Sequence, residues 1–458
     1  MTADRDLDPL TLAIAPPPNE TPAERAAREK SEQEALQRSR CIDAELKLAK
    51  AAMKRYKKAI KVLVLGQSLS GKSTTIKNFQ IAYAQKSWCE ERESWRAVIL
   101  LNLVRSVNII TDVLNDAGNR EIRNSVDNQA QAAEGVIPTE RHRSVVLRLV
   151  PLRQIEKDLK TFLGAGSSEV DFTPRFIQEF CVRSSSGWKS ILDQIRNPEP
   201  GKESQLHRVA CHVVSGCKED IRWLWNDTVT KKILHARQLR LEDSPGFFLD
   251  DVERIAGLEY QPSDQDIVRA RLRTTGVQEH HFTMDRANAG GVLDWVMYDV
   301  AGKRHYTYFA AWIPYFREIT ALIFLAPISS FNERLEEDPR IYRLEDTFNL
   351  WKTICSSRLL DQVQIILFLN KTDLLQKKLE QGIRLQKYIP EYDKANDYET
   401  VSTWFRKIFK RYYLQHSAPG RIFISHFTSV VDTKATALTL QAVQATILRN
   451  DIAGAGLM

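Results

Sequence analysis

Apolar and polar positions divide the chain into stretches of different period. Residues 61–65 (Lys61-Val62-Leu63-Val64-Leu65) form a short apolar run that reads as a buried strand. Similar runs recur at 281–284, 295–298, 321–325, 364–369 and 421–426, most of them separated by segments of helix length. This alternation predicts an α/β fold with a largely parallel sheet covered by helices on both faces. Between residues 80 and 262 helical periodicity dominates, and 95–114 is one apolar-rich helix. The stretch 117–145 is polar and reads as an inserted loop, and Ser184-Ser185-Ser186-Gly187 marks a turn. Residues 436–453 predict a final helix.

The first 20 residues, with Pro16-Pro17-Pro18, have no period and are expected to be disordered. A helix is expected over 21–58: Thr21 can cap it, Pro22 suits its first position, and Glu24 can complete a capping box. Leu36, Ile42 and Leu46 give that helix a narrow apolar stripe, better suited to docking a partner than to filling a core.

Composition narrows the class. A chain of 458 residues with 43% hydrophobic and 27% charged residues has the profile of a soluble protein of two or three domains. No run reaches the roughly 18 apolar residues of a membrane span, and the N-terminus lacks a secretory pattern. The six cysteines form no Cys-x-x-Cys pair and are read as reduced thiols, small buried hydrophobes of a cytosolic protein. The net charge of +7 is partly local. Lys47, Lys50, Lys54, Arg55, Lys57, Lys58 and Lys61 crowd one segment, which is either a solvated face or one turned to anionic lipid or an acidic partner. No nucleic-acid-binding motif is present.

The chemistry begins at Gly66-Gln67-Ser68-Leu69-Ser70-Gly71-Lys72-Ser73, a complete G-x-x-x-x-G-K-[ST] phosphate loop between a strand and a helix start opening at Thr74. Its backbone N–H groups and the helix dipole can cradle a polyphosphate. Lys72 would reach the β/γ-phosphates, and the Ser73 hydroxyl would ligate Mg²⁺. The run 364–369 ends in Asn370-Lys371-Thr372-Asp373. Asp373 can accept two hydrogen bonds from guanine that adenine cannot offer, Lys371 would lie along the base, and Asn370 would brace the loop. Together the two motifs favour GTP and argue against an ATP-dependent enzyme. Asp299-Val300-Ala301-Gly302 ends another apolar run; Asp299 can hold Mg²⁺ through water, and the Gly302 N–H can approach the γ-phosphate.

With these motifs in this order, the chain resembles the α subunits of heterotrimeric G proteins, as a divergent, fungal-type member, from about residue 31 to the C-terminus. The stretch from Asp266 to Gly276 is similar to their switch I, and Thr428-Ser429-Val430-Val431-Asp432-Thr433 to a degenerate second guanine loop. Trp225-Asn226-Asp227 and the segment 249–255 resemble late helical-domain segments. The resemblance implies a Ras-like GTPase domain (59–79 and 263–458) with an inserted all-α helical domain (80–262), itself carrying an insertion near 117–175. It implies Arg271 as an arginine finger supplied in cis and Thr274 as second Mg²⁺ ligand beside Ser73. Nucleotide contacts are implied at Gly66, Leu69, Ser70, Gly71, Lys72, Ser73, Thr74, Asp227, Val268, Arg269, Asp299, Gly302, Asn370, Lys371, Asp373 and Val430. The implied cofactors are GTP or GDP with Mg²⁺. The implied partners are a Gβγ dimer, a G-protein-coupled receptor reached through the C-terminal helix, and a downstream effector. The implied location is cytoplasmic, peripheral at the inner face of the plasma membrane.

The chain also departs from that family. Lys303 stands where the family has the glutamine that orients the attacking water, and an ammonium has donors but no acceptor. Leu69 replaces the phosphate-loop glutamate that pairs with the arginine finger, Ser68 replaces a glycine, and Val430 an alanine. Position 2 is not glycine, so N-myristoylation is not expected, and Ala455 occupies a cysteine position. Slow GTP hydrolysis is therefore expected, with Lys303 in the catalytic place. The alternative is a hydrolysis-deficient GTP-binding protein that signals by occupancy alone.

Overall fold

In the first strand every residue is buried, as an apolar run flanked on both sides by other strands requires. The computed structural model describes residues 21–126, 137–163, 181–183, 203–237, 239–244, 246–275, 277–285, 292–300, 319–335, 338–429, 441, 443–445 and 447. They fall into two units, Met1–Ala59 and Ile60–Met458.

Among its described residues the first unit is one helix, α1 (Pro22–Lys58). Thr21 and Glu24 form its capping box: Thr21 Oγ1 accepts from the Glu24 N–H at 3.4 Å, and Glu24 Oε2 accepts from the Thr21 N–H at 2.9 Å. Ion pairs one turn apart, Arg25–Glu29 and Arg28–Glu32, lace its surface. Leu36, Ile42 and Leu46 are exposed on it, as are Leu48 and Met53.

The second unit is built on a six-stranded sheet of β1 (Ile60–Gly66), β4 (Val277–Asp285), β5 (Val292–Val300), β6 (Ala321–Pro327), β7 (Gln364–Asn370) and β8 (Ile424–Thr428), ordered β4-β5-β1-β6-β7-β8. All neighbours are parallel except the edge pair β4–β5. The parallel strands β1, β6 and β7 read as continuous apolar runs because both faces are covered. One cluster, including Val62, Val64, Ile76, Phe79, Met297, Ile323 and Phe368, fills one side of the sheet, and Val443 and Ile447 pack into it. A separate two-stranded parallel pair joins β2 (Cys181–Arg183) to β3 (Arg273–Thr275), with Val182 opposite Thr274.

The segment between α2 (Lys72–Tyr83) and β3 is mainly helical. Its central element is α3 (Gln85–Val126), against which α4 (Glu140–Arg148), α5 (Pro151–Phe162), α6 (Glu203–Gly216), α8 (Thr228–Ala236) and α9 (Val252–Ile255) gather, while α7 (Lys218–Asn226) packs on α4, α6, α8 and α9. Several expectations need correction here. The helix expected over 95–114 runs much further in both directions, and the polar stretch 117–145, expected as a loop, contains the end of α3 and most of α4. A polar sequence hides helical propensity from a search for apolar period. Moreover, Glu91–Gly118 is long and apolar enough to cross a membrane by composition, contrary to the expectation of no such run. Here that surface is spent in a protein core with Val98, Leu101, Val104, Leu152 and Trp225. The last strand lies at 424–428 rather than 421–426, with Arg421 bonding to the Val363 carbonyl before it. Two cysteines, Cys41 and Cys89, are exposed rather than buried; Cys211 and Cys355 are buried, and all four are free thiols. The turn expected at 184–187 and most of the expected last helix lie outside the described residues.

Candidate nucleotide site

The carboxyl ends of β1, β5 and β7 meet at one end of the sheet, and the sequence motifs sit on them. After β1 the chain turns through the phosphate loop, closed by a Ser70 N–H to Gln67 carbonyl bond of 3.2 Å. Gly66 is required here: a Cβ would stand 2.6 Å from the Leu325 carbonyl oxygen of the neighbouring strand. Leu69, by contrast, holds φ of 63°, a left-handed conformation unusual for a branched side chain. Helix α2 starts at Lys72, two residues before the expected opening at Thr74. Gly71 is its N-cap and supplies no side-chain cap. The first-turn N–H groups therefore point at the loop with no capping side chain of their own, the arrangement that binds anions.

Lys72 bends back over the loop. Its Nζ donates to the carbonyls of Gly66 (2.8 Å) and Gln67 (2.7 Å), which engages two of its three donors. Burial pushes its pKa down to about 8, opposed by Asp299 and reinforced by Arg343 and Arg271. The Ser73 hydroxyl donates to Asp299 Oδ2 at 2.6 Å. This pair brings the ends of α2 and β5 together as neighbouring hard oxygen donors, the kind Mg²⁺ takes. Ser70 is fully buried, and its hydroxyl finds no hydrogen-bond partner among the described residues.

Asn370 ties the second motif to the first. Its Nδ2 donates to the Ser70 carbonyl at 2.7 Å, and its Oδ1 accepts from the Thr428 hydroxyl at 3.1 Å. Lys371 takes a left-handed φ of 63° at the cap of α12 (Thr372–Glu380). Desolvation lowers its pKa to about 8, against the attraction of Glu333. Arg343 and Arg271 depress it further, as they do Lys72, and Lys378 adds to the effect on Lys371. A bound anion would favour the charged form of both lysines, because an opposite charge raises a depressed lysine pKa. Asp373 is exposed in the first turn of α12.

Arg271 follows α10 (Asp264–Arg269), which packs against both α2 and α3. Asn102 of α3 grips its backbone twice: Oδ1 accepts from the Arg271 N–H at 2.7 Å, and Nδ2 donates to the Arg271 carbonyl at 3.0 Å. Lys77 of α2 holds the same segment through the carbonyls of Ile267 (2.9 Å) and Ala270 (2.6 Å). Asp266 anchors its start. Although burial pushes its carboxyl up, hydrogen bonds from Arg254, Ser263 and Tyr260 hold it well below the usual range.

Other expected contacts are engaged elsewhere. Val268 is buried in α10, and the Arg269 guanidinium donates to Asp251 Oδ2 (2.9 Å) and the Phe247 carbonyl (2.8 Å). Asp227 caps α8 through the Thr230 N–H, and its Oδ2 also meets His142 Nε2 at 2.9 Å. Thr274 lies in β3, its side chain outside the described residues, as are Gly302, Lys303 and Val430.

Four residues near the loops are absent from the sequence reading: Lys77, Asn102, Arg343 and Asp346. On α11 (Arg343–Cys355), Arg343 donates to the Ser68 carbonyl and Asp346 accepts from the Gln67 amide. The only sequence cue to the latter two is their spacing of three, which puts them on one helix face.

Against known proteins, the sequence model described as "G-protein alpha subunit" matches residues 36–447. The chain is 29% identical to the guanine nucleotide-binding protein alpha-4 subunit of Mycosarcoma maydis, covering 98% of this chain and 96% of that protein. It is 28% identical to the alpha-1 subunit of the same organism (94% and 98% covered). Identity to the G(o) subunit alpha of Caenorhabditis elegans is 27% (93% and 98% covered). A match over nearly the whole length, on a fold with a phosphate loop and a guanine motif at one end of its sheet, is decisive: the chain belongs to the G-protein alpha subunit family.

Proposed function

We propose that this chain is a Mg²⁺-dependent GTP switch. In this reading Lys72 holds the β/γ-phosphates, Asp373 reads the guanine, and Arg271 serves as the arginine finger. As a G-protein alpha subunit it is a GTPase and a signalling switch that binds guanine nucleotides and pairs with Gβγ. The observation that carries the finer reading is the phosphate loop with Lys72 folded over it beside the Ser73–Asp299 pair, tied through Asn370 to the guanine motif.

Ser73 and Thr274 would hold Mg²⁺ directly, and Asp299 through water; the ion would supply charge neutralisation on the phosphates. The chain's own residues do the rest. The α2 N-terminus and Lys72 orient the triphosphate, and Arg271, its backbone fixed by Asn102, stabilises charge developing on the transferred phosphoryl group. Lys303 can neutralise charge but cannot accept a proton from water, so hydrolysis is slow. We assign Gβγ docking to α1, with its exposed Leu36, Ile42 and Leu46, and to the stretch beginning Asp299-Val300-Ala301-Gly302-Lys303, which is similar to the family's switch II. The segment expected as the C-terminal helix takes the receptor, and a downstream effector reads the GTP form. The basic run at 47–61 favours peripheral attachment at the inner face of the plasma membrane.

The test is single-turnover hydrolysis of preloaded GTP with Mg²⁺, comparing the native chain with Lys303→Gln. Slow native turnover that accelerates in the variant supports this reading. Absence of native turnover would transfer support to signalling by occupancy alone, which Leu69 and Lys303 both favour.

A further inference from the structure

The phosphate loop is fastened from behind by a helix that carries neither nucleotide motif. Gln67 and Asp346 are both buried, and the Gln67 Nε2 donates to the Asp346 carboxylate. One turn earlier on the same face, the buried Arg343 donates to the carbonyl of Ser68. Two consecutive loop residues are thus held by two residues of α11. The grip reaches the phosphates through Gln67 itself: the backbone carbonyl of this residue accepts from Lys72 Nζ at 2.7 Å. Fixing the Gln67 side chain therefore fixes the peptide that aims the lysine.

We propose that Gln67 and Asp346 form a latch that sets the phosphate loop in its nucleotide-holding shape and slows release of bound GDP. Gln67 is a positioning residue acting through Lys72. The proposal rests on the guanine-nucleotide reading of the site. The latch acts on the part of the loop that meets the β- and γ-phosphates and leaves the base contacts at Asn370-Lys371-Thr372-Asp373 untouched. Its loss therefore weakens GDP and GTP but not GMP, whereas general loosening of the fold weakens all three.

The experiment is dissociation of N-methylanthraniloyl-GDP from the full chain, with GMP competition alongside. Gln67→Met keeps the side-chain length but removes the donor, and Gln67→Glu sets two carboxylates against each other. Each should speed GDP release about tenfold, the lower end for losing a hydrogen bond to a charged group, with GMP affinity within about twofold of native. The double variant Gln67→Glu with Asp346→Asn rebuilds one amide–carboxylate bond with its direction reversed and should return release to near the native rate. Single variants that release GDP at the native rate, a double variant no slower than Gln67→Glu, or equal losses for GMP and GDP would each overturn the latch. So would failure of Gln67→Met to fold, because a loop latch controls release rather than folding. A native chain that binds no guanine nucleotide would instead overturn the reading on which the latch rests.

Discussion

Replacing Asn370 with alanine removes a side chain that bonds the end of β7 to the phosphate loop and to the end of β8. Asn370 is fully buried, with its amide nitrogen on the Ser70 carbonyl and its amide oxygen on the Thr428 hydroxyl. Ser70 and Thr428 are buried as well, so water cannot readily replace the lost partners. Each buried group that loses its bond costs about 1–3 kcal/mol. The two share one side chain and will not add fully, so Asn370→Ala should destabilise the nucleotide-free protein by ~2–4 kcal/mol. Asn370→Asp has nearly the same shape and keeps the acceptor for Thr428, but turns a carboxylate oxygen toward the Ser70 carbonyl. It should therefore not be milder than the loss of the Ser70 bond alone, ~1–2 kcal/mol. Urea unfolding measures both, and GDP release should accelerate in both because the phosphate and guanine loops lose their shared brace. A loss under about 0.5 kcal/mol for Asn370→Ala, the range of ordinary surface changes, would refute the assignment of Asn370 as that brace.

Three further outcomes follow from the same geometry. Lys77 is pushed down to about 7 and Lys72 and Lys371 to about 8 by burial, below the ordinary lysine value, so the unfolded chain binds more protons above those pH values. Stability of the nucleotide-free protein should rise from pH 7 toward 8.5, by at most about 1.4 kcal/mol per pH unit for each lysine. Higher still, the Cys355 thiol, pushed up to about 12, begins to oppose the rise; a flat urea midpoint between pH 7 and 8.3 would contradict this. Asn102→Ala frees the Arg271 backbone and should slow GTP hydrolysis about tenfold, with GDP affinity changed less than about threefold; equal losses in both would assign Asn102 to the fold instead. Leu69→Gly relieves a left-handed leucine and should stabilise the protein by up to ~1 kcal/mol in thermal unfolding, since the strain removed exceeds the added chain entropy.

Local chemistry made the phosphate loop legible. Eight consecutive residues, with an apolar strand before them and a helix after, carry the backbone geometry that binds phosphate, and Asn370-Lys371-Thr372-Asp373 is equally compact. The buried strands β1, β6 and β7 were readable because burial on both faces leaves little polar residue in them. Boundaries were less so. The end of α3 reads as a loop because its sequence is polar and lacks an apolar period, and the edge strand β4 gives no sign in its sequence that it runs against its neighbour.

The sequence by itself determined the family and, with it, guanine-nucleotide binding, and it named the residues proposed to touch the phosphates and base. Only the tertiary structure decided how those residues are held. Gln67 and Asp346 lie 279 positions apart, Asn370 and Ser70 lie 300 apart, and Asn102 and Arg271 lie 169 apart. A motif is short because contiguous backbone does its work, whereas a brace joins groups that only folding brings within hydrogen-bond reach. Nothing in the spacing of such pairs distinguishes them from solvated polar residues until burial removes the water that would otherwise satisfy them.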